Sequence, residues 1–187
     1  MYHVYIGTDN YKAGQEMGRQ LAALTGGKAT VAVLSGQPGY DNLEERYRGL
    51  IEIAQAYPDI HFVQLEYDNY DSLTVLNKVK QIKNGNPAVD TLVCIEGTGG
   101  QAIGNYDTKE EKKFRYILVF DNMEETLKGL RNGTIDGVEA QEPHQMGLLA
   151  VRDIAINGVT QTSRALYTSI RWLTARDADR QVQADEQ

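Results

Sequence analysis

The sequence predicts an α/β protein with a doubly wound, mainly parallel sheet. Six apolar runs each end in a short polar loop and are followed by a helical pattern, and repeated units of this kind form parallel sheets through right-handed crossovers. The length of 187 residues and the hydrophobic content of 41% suit one such domain with a sizeable core. Since an open parallel sheet binds its ligand at the carboxyl ends of its strands, the six loops predict a ligand site there.

The first predicted unit is a strand, a helix and a second strand. After the strand HVYI, the helix has apolar residues at helical spacing, namely Ala13, Met17, Leu21 and Leu24. Gly26 and Gly27 supply a C-terminal stop before the strand ATVAVL. Asn42 is then placed to cap the next helix with Glu45 three residues later, and that helix is expected to end near Pro58.

The later units follow the same alternation. HFVQLEY is predicted as a strand and TLVCI as a buried strand. The helix between them has an apolar face formed by Leu73, Leu76, Val79 and Ile82. Residues 106–115 are the most hydrophilic stretch, which predicts a solvated helix end and loop. The remaining predicted elements are the strand RYILVF, a helix over 123–133, the strand IDGVEAQ, a helix over 144–156 and a last strand over 168–174.

Composition and charge exclude several classes of protein. The formal net charge is -7 and the basic residues are scattered, which argues against a nucleic-acid partner. The single cysteine, Cys94, allows no intrachain disulfide and is expected to be a buried thiol. No stretch has the length of a membrane-spanning helix, and the N-terminal residues lack the pattern of a secretion signal. The protein is therefore expected to be cytoplasmic or to lack its beginning.

Four segments carry a resemblance to a known family. They are YIGTDNYKAGQEMGRQL, GGKATVAVLSGQPGYDNLEERYRGL, RYILVFDN and GTIDGVEAQEPHQMGLLAV. Together they resemble periplasmic sugar-binding proteins of the ribose type, within the type I periplasmic-binding and lac-repressor-like superfamily. The segment RWLTARDAD is similar to the last hinge strand and tail of that family. The resemblance covers nearly the whole chain.

This resemblance implies two flavodoxin-like lobes that are joined by three hinge strands and close around one small ligand. Residues 1–121 would form the core of the second lobe from the first hinge onward, and residues 122–160 the elements that pack on the first lobe in relatives. Residues 161–187 would form the last hinge strand and tail. The bulk of the first lobe would then be missing. We expect the apolar faces of 123–156 to meet that lobe, a split partner or a second copy of the chain.

The resemblance implies ligand contacts for five residues, which are Arg46, Tyr70, Thr98, Asp121 and Gln141. Arg46, in ERYRGL, offers several fixed donors, although a surface ion pair with a glutamate of its own helix is the alternative. Tyr70 suits stacking on the apolar face of a sugar, and a surface loop tyrosine is the alternative. Asn42 lies four residues before Arg46 on the same helical face, so the two can share a wall of the site.

The other assignments rest on the ends of later strands. A carboxylate at Asp121 can accept from two hydroxyls, and a helix cap is the alternative. The Gln141 amide in AQEPHQMG both donates and accepts, although it could instead only tie the hinge together. Thr98 stands near a position where many sugar-binding relatives have asparagine, which leaves the identity of the ligand open. Glu96 could add a carboxylate from the same strand end.

The segment EGTGGQAIG also supports a rival hypothesis. Gly97, Gly99 and Ala102 fit the G-x-G-x-x-A pattern between a strand and a helix, and Asp121 ends the next strand. This pattern predicts a nicotinamide-dependent oxidoreductase. Against it, such a fingerprint normally lies at the first β-α turn, and the predicted helix here is short.

The functional expectation follows from these observations. The sequence has neither a P-loop nor a metal-ligand cluster, so we expect no cofactor and no catalysis. The resemblance implies reversible binding of a sugar or polyol, in the periplasm or outside the cell. It also implies an ABC transporter permease, a chemoreceptor or a sensor kinase as membrane partner. A lac-repressor-type regulator is the alternative, and it would require a helix-turn-helix segment upstream that this chain does not contain.

Overall fold

The computed structural model describes residues 4–105, 114–158 and 164–178. Its strands are β1 Val4–Thr8, β2 Lys28–Ser35, β3 Asp59–Tyr67, β4 Thr91–Cys94, β5 Tyr116–Phe120, β6 Gly137–Ala140, β7 Arg164–Thr168 and β8 Arg171–Leu173. Its helices are α1 Asn10–Thr25, α2 Asp41–Ala54, α3 Ser72–Gly85, α4 Gly97–Gly104, α5 Glu124–Arg131 and α6 Pro143–Asn157. The predicted alternation of strands and helices is confirmed.

The main sheet has six strands in the order β3-β2-β4-β5-β6-β8, and β1 pairs with β7 in a separate two-stranded sheet. All neighbouring strands are parallel except β6 and β8, which confirms the mainly parallel sheet. Leu34 pairs with Cys94, and Cys94 pairs with Val119. The carboxyl ends of the central strands therefore meet at one edge, where the polar loops converge.

Helices cover both faces of the main sheet, as the doubly wound prediction requires. α1 and α2 lie on one face, where Met17 and Leu50 are fully buried. α3, α4 and α5 lie on the other face and contribute Val75, Ile103 and Leu130 to its core. Successive side chains along each strand point to opposite faces and so contribute to both cores. The edge at the carboxyl ends of the strands therefore belongs to a sheet that is packed on both faces.

Two predicted boundaries are wrong. α2 begins at Asp41 with Tyr40 in the N-cap position, so Asn42 lies within the first turn and is not the cap. The strand predicted over 168–174 is divided, because β7 ends at Thr168 and pairs with β1 whereas β8 begins at Arg171 and pairs with β6. The chain changes sheets between them. The hydrophilic stretch 106–115 lies outside the described residues as far as residue 113.

The segment 122–160 divides between two environments. α5 and β6 belong to the main unit, since Leu130 and Val138 lie in its core and a Cβ on Gly104 would lie 1.9 Å from the Glu125 carbonyl oxygen. α6 instead contacts β1 and exposes the apolar residues Leu148, Val151, Ile154 and Ile156. Packing on another lobe therefore remains an expectation for α6 alone. Within the described ranges, no helix is both long enough and apolar enough to cross a membrane.

Candidate ligand-binding site

An open pocket of about 370 Å³ lies at the carboxyl ends of the main-sheet strands. All five residues assigned from the resemblance line it, namely Arg46, Tyr70, Thr98, Asp121 and Gln141. The other lining residues are Asn42, Leu43, Glu96, Gly97, Gln101 and Met123. A larger pocket of about 570 Å³ lies beside α2 and the end of β3, and its lining contains none of the five. The convergence of assigned residues selects the smaller pocket as the candidate site.

Arg46 is the positive centre of the pocket and is only 4% exposed. Its Nε donates to Asn10 Oδ1 at 3.0 Å and its Nη1 donates to the Ile95 carbonyl at 3.0 Å. The guanidinium carbon lies 4.3 Å from the centroid of the Phe120 ring. Burial lowers the pKa of Arg46, and nearby acidic groups, of which Asp121 acts most strongly, oppose that effect. This burial contradicts the surface ion pair and leaves a rigidly held donor.

Asp121, Gln141 and Thr8 form a hydrogen-bonded chain. Gln141 Nε2 donates to Asp121 Oδ1 at 2.5 Å, and the Thr8 hydroxyl donates to Gln141 Oε1 at 2.7 Å. The Asp121 carboxylate is closely confined, since a Cβ on Gly97 would lie 2.8 Å from its Oδ2. Met123 occupies the N-cap position of α5, so the capping role considered for Asp121 is wrong. Gln141 ties the two sheets together and lines the pocket as well.

Tyr70 forms an aromatic wall of the pocket. Asn69 and Tyr70 have φ values of 56° and 58°, in the left-handed region that non-glycine residues seldom adopt. The Tyr70 ring lies against Gly36, where a Cβ would come within 2.3 Å of it, and meets the Tyr40 ring edge-on with centroids 5.9 Å apart. Tyr70 is 43% exposed, so its ring is held by the contacts with Gly36 and Tyr40 and not by burial. Nothing in the sequence pattern marks Tyr40 as its neighbour, because that contact joins two separate loops.

Glu96 caps the N-terminus of α4. Its carboxylate oxygens accept from the backbone N–H groups of Thr98 at 2.7 Å and Gly99 at 2.6 Å. A pyrophosphate at a dinucleotide fingerprint would need such N–H groups, but here a buried carboxylate takes them. A Cβ on Gly99 would lie 2.6 Å from the Cys94 Cβ, so close packing accounts for that glycine. This geometry argues against the rival dinucleotide site.

Asp68 is a further residue beside the pocket that the sequence pattern does not reveal. It is fully buried, and its Oδ1 accepts from the Tyr70 backbone N–H at 2.9 Å. Burial, followed by the charge of Glu96, raises the pKa of Asp68 to about 7. The motif EYDNYDS contains three acidic residues, and the burial of the middle one depends on strands that are distant in sequence.

The sequence matches the model of a protein family described as periplasmic binding protein domain, over residues 2–156. The chain belongs to this family. Sugar-binding proteins of known structure also share its fold. The sequence resemblance to periplasmic sugar-binding proteins is thereby confirmed.

Three relatives show how far the similarity extends. The ribose import binding protein of Bacillus subtilis (strain 168) is 26% identical, with 78% of this chain and 47% of that protein covered. A glucose-galactose binding protein from Geobacillus stearothermophilus has a TM-score of 0.85 and 29% identity, with coverage of 94% of this chain and 63% of that one. An ABC transporter solute binding protein from Burkholderia graminis, in complex with D-arabinose, has a TM-score of 0.84, 28% identity and the same coverage. The chain spans about half the length of the curated relatives it matches.

Proposed function

We propose that this chain reversibly binds a monosaccharide or a related polyol and delivers it to an ABC transporter in the membrane. The observation that carries the proposal is the convergence of five residues from separate loops on one pocket around the buried Arg46. Such an arrangement suits a small ligand with polar groups on several sides. A relative named for ribose import and another solved with D-arabinose support a sugar as the ligand.

The pocket has the chemistry for recognising hydroxyl groups. Arg46 supplies directed donors, because the guanidinium is planar and always charged. Asp121 supplies acceptors, and the Gln141 amide can serve a hydroxyl that both donates and accepts. The Tyr70 ring offers an apolar face for the C–H side of a sugar ring. Because Arg46 and Gln141 are already held by other side chains, binding would immobilise little additional side-chain freedom.

We further propose that the lobe corresponding to the first lobe of relatives closes over this pocket. The pocket is open rather than enclosed, and the chain from Thr8 through Gln141 to Asp121 connects the β1 strand of the small sheet to the pocket. A sugar bonded to Asp121 would favour one arrangement of the two sheets through that chain. Closure would then present a changed surface to the membrane partner, in the periplasm or outside the cell.

The first experiment is a ligand panel followed by calorimetry. We expect D-ribose, D-arabinose, D-galactose or xylitol to raise the melting temperature of the 187-residue chain or of a longer, two-lobe form. Arg46→Lys keeps the charge but loses the planar fork of donors, so we expect sugar affinity to fall roughly tenfold or more. Isothermal titration calorimetry measures the change, and circular dichroism checks that the variant is folded.

Arg48→Lys is the matched control. Arg48 lies on the same helix, but its guanidinium sits over the Tyr11 ring and outside the candidate pocket, so this variant should bind sugar as the wild type does. Equal affinity in the wild type and in Arg46→Lys would remove Arg46 from the site. The panel also contains nicotinamide dinucleotides, and stabilisation by one of them in place of the sugars would favour the oxidoreductase hypothesis.

A further inference from the structure

Asp68 anchors the loop that carries Tyr70. Its backbone N–H donates to the Ser35 carbonyl at 2.9 Å, and the Asn69 N–H donates to the Gly36 carbonyl at 2.8 Å. The side-chain Oδ1 of Asp68 accepts a hydrogen bond from the Tyr70 N–H. The loop is thus attached to the end of β2, and the Asp68 carboxyl bonds directly to the residue that forms the aromatic wall.

The second oxygen of Asp68 has an unusual environment. Oδ2 is buried, and it accepts no hydrogen bond from any of the residues that the structure describes. The Glu96 carboxylate lies beside it, and this charge adds to the effect of burial on the pKa of Asp68. Glu96 is itself held by two backbone N–H groups at the start of α4, so both of its carboxylate oxygens already act as acceptors. Two adjacent buried carboxylates repel each other, whereas a proton on Asp68 Oδ2 would turn the contact into a hydrogen bond.

None of the other ionisable groups near the pair donates a hydrogen bond to Asp68 Oδ2 within the described part of the chain. The Cys94 thiol is fully buried, and burial together with the charges of Glu96 and Asp68 raises its pKa. Burial also raises the pKa of the Tyr70 phenol. Arg46 approaches the Glu96 side, but its Nε and Nη1 donate to Asn10 and to Ile95. The pair therefore depends on a proton of its own.

The loop needs this support because of its backbone. Asn69 and Tyr70 are consecutive residues with positive φ, and such a conformation persists only where surrounding contacts hold it. We propose that Asp68 is a positioning residue that shares one proton with Glu96, and that loss of this proton loosens the Tyr70 loop and weakens ligand binding. This inference rests on the proposed sugar-binding function and adds a pH dependence to it.

The direction of the effect follows from the protonation of the pair. The pKa of Asp68 is raised to about 7, so the proton is present in mildly acidic solution and is lost as the pH rises through that value. Sugar affinity should therefore be highest below pH 7 and decline above it, by roughly fivefold or more if the coupling is of ordinary size.

A ligand-free measurement tests the proton directly. In the wild-type chain, the ¹³C NMR signal of the Asp68 carboxyl should titrate near neutral pH, and hydrogen-exchange protection of the Tyr70 amide should decline over the same range. Asp68→Asn retains the acceptor for the Tyr70 N–H and replaces the shared proton with an amide donor, so protection should stay high at every pH. Asp59→Asn, exposed at the opposite end of the same strand, should behave like the wild type.

A binding measurement completes the test. The affinity for D-ribose and D-arabinose should decline with rising pH in the wild type and stay constant in Asp68→Asn. An Asp68 carboxyl that titrates near its ordinary pKa, or a Tyr70 amide with the same pH dependence in both proteins, would overturn the shared proton. If Asp68 titrates near neutral pH but the sugar affinity does not change with pH, the proposed link between the shared proton and ligand binding is overturned. If no sugar of the panel binds at any pH, the proposed function fails, while the ligand-free titration still decides the shared proton.

Discussion

At the scale of single residues, Glu139 is the clearest case of an ionisable side chain in a buried environment that does not stabilise its charge. It lies on β6, is fully buried, and neither of its carboxylate oxygens has a partner among the described residues. Burial is the main reason why the pKa of Glu139 rises from its usual 4.5 to about 8, with the charge of Glu16 adding to it and Arg46 opposing it. The carboxyl is therefore protonated in the folded protein at neutral pH.

This protonation predicts a decline of stability with rising pH. Between pH 4.5 and 8 the folded state keeps the Glu139 proton while the unfolded state loses it, so unfolding becomes more favourable as the pH rises. Each unit of pKa difference corresponds to about 1.4 kcal/mol. Glu139→Gln cannot titrate, and we expect it to gain stability relative to the wild type between pH 5 and 8 in urea unfolding experiments. Glu52→Gln, exposed on α2, is the control, and a constant difference for Glu139→Gln across this range would contradict the prediction.

At the scale of elements, the crossing of α1 and α2 controls the position of Arg46. A Cβ on Gly14 would lie 2.0 Å from the Arg46 carbonyl oxygen, and one on Gly49 would lie 2.2 Å from the Tyr11 carbonyl oxygen. The two backbones thus touch where Arg46 leaves α2, and Asn10 from the start of α1 holds its guanidinium. Gly14 and Gly49 therefore allow the close packing of the two helices and, through it, fix the position of Arg46 in the pocket.

A single methyl group at this crossing should separate the helices. We expect Gly14→Ala to lower the free energy of unfolding by about 1–3 kcal/mol, because the contact is with backbone that cannot rotate away. It should also weaken sugar binding by displacing Arg46. Gly85→Ala is the matched control, since a Cβ there meets nothing within 4 Å apart from its chain neighbours and the backbone of its own helix, and it should change stability by less than about 1 kcal/mol. Equal stability of the two variants in urea unfolding would contradict the close crossing.

The sequence predicts the elements that local pattern and topology determine. The carboxyl ends of parallel strands meet at one edge whatever the details of packing, so Asp121 and Gln141 are brought together as predicted. Contacts between distant segments are not predictable in this way. The pairing of β7 with β1 and of β8 with β6 splits a strand that looks continuous in sequence, and the burial of Asp68 depends on its neighbours in three dimensions.

At the scale of the whole molecule, α6 differs from the other helices in what it buries. Asp153 is its buried residue, whereas Leu148 is 61% exposed and Val151 is 70% exposed. Ile154 and Ile156 extend the apolar surface towards the end of the helix. Folded proteins seldom leave large contiguous apolar patches in water unless another surface covers them. We therefore expect α6 to be an interface, either with a further lobe, with a partner or with a second copy of the chain.

For the 187-residue chain in isolation, this surface predicts self-association. Sedimentation velocity should show a species larger than a monomer that grows with protein concentration, because burying apolar side chains between two copies removes them from water. The double variant Leu148→Glu and Val151→Glu should return the chain to a monomer with unchanged secondary structure. Leu73→Glu is the control, since Leu73 is 71% exposed on α3, and it should leave association intact. A wild-type chain that remains monomeric and binds no hydrophobic dye would show that α6 is not an exposed apolar interface.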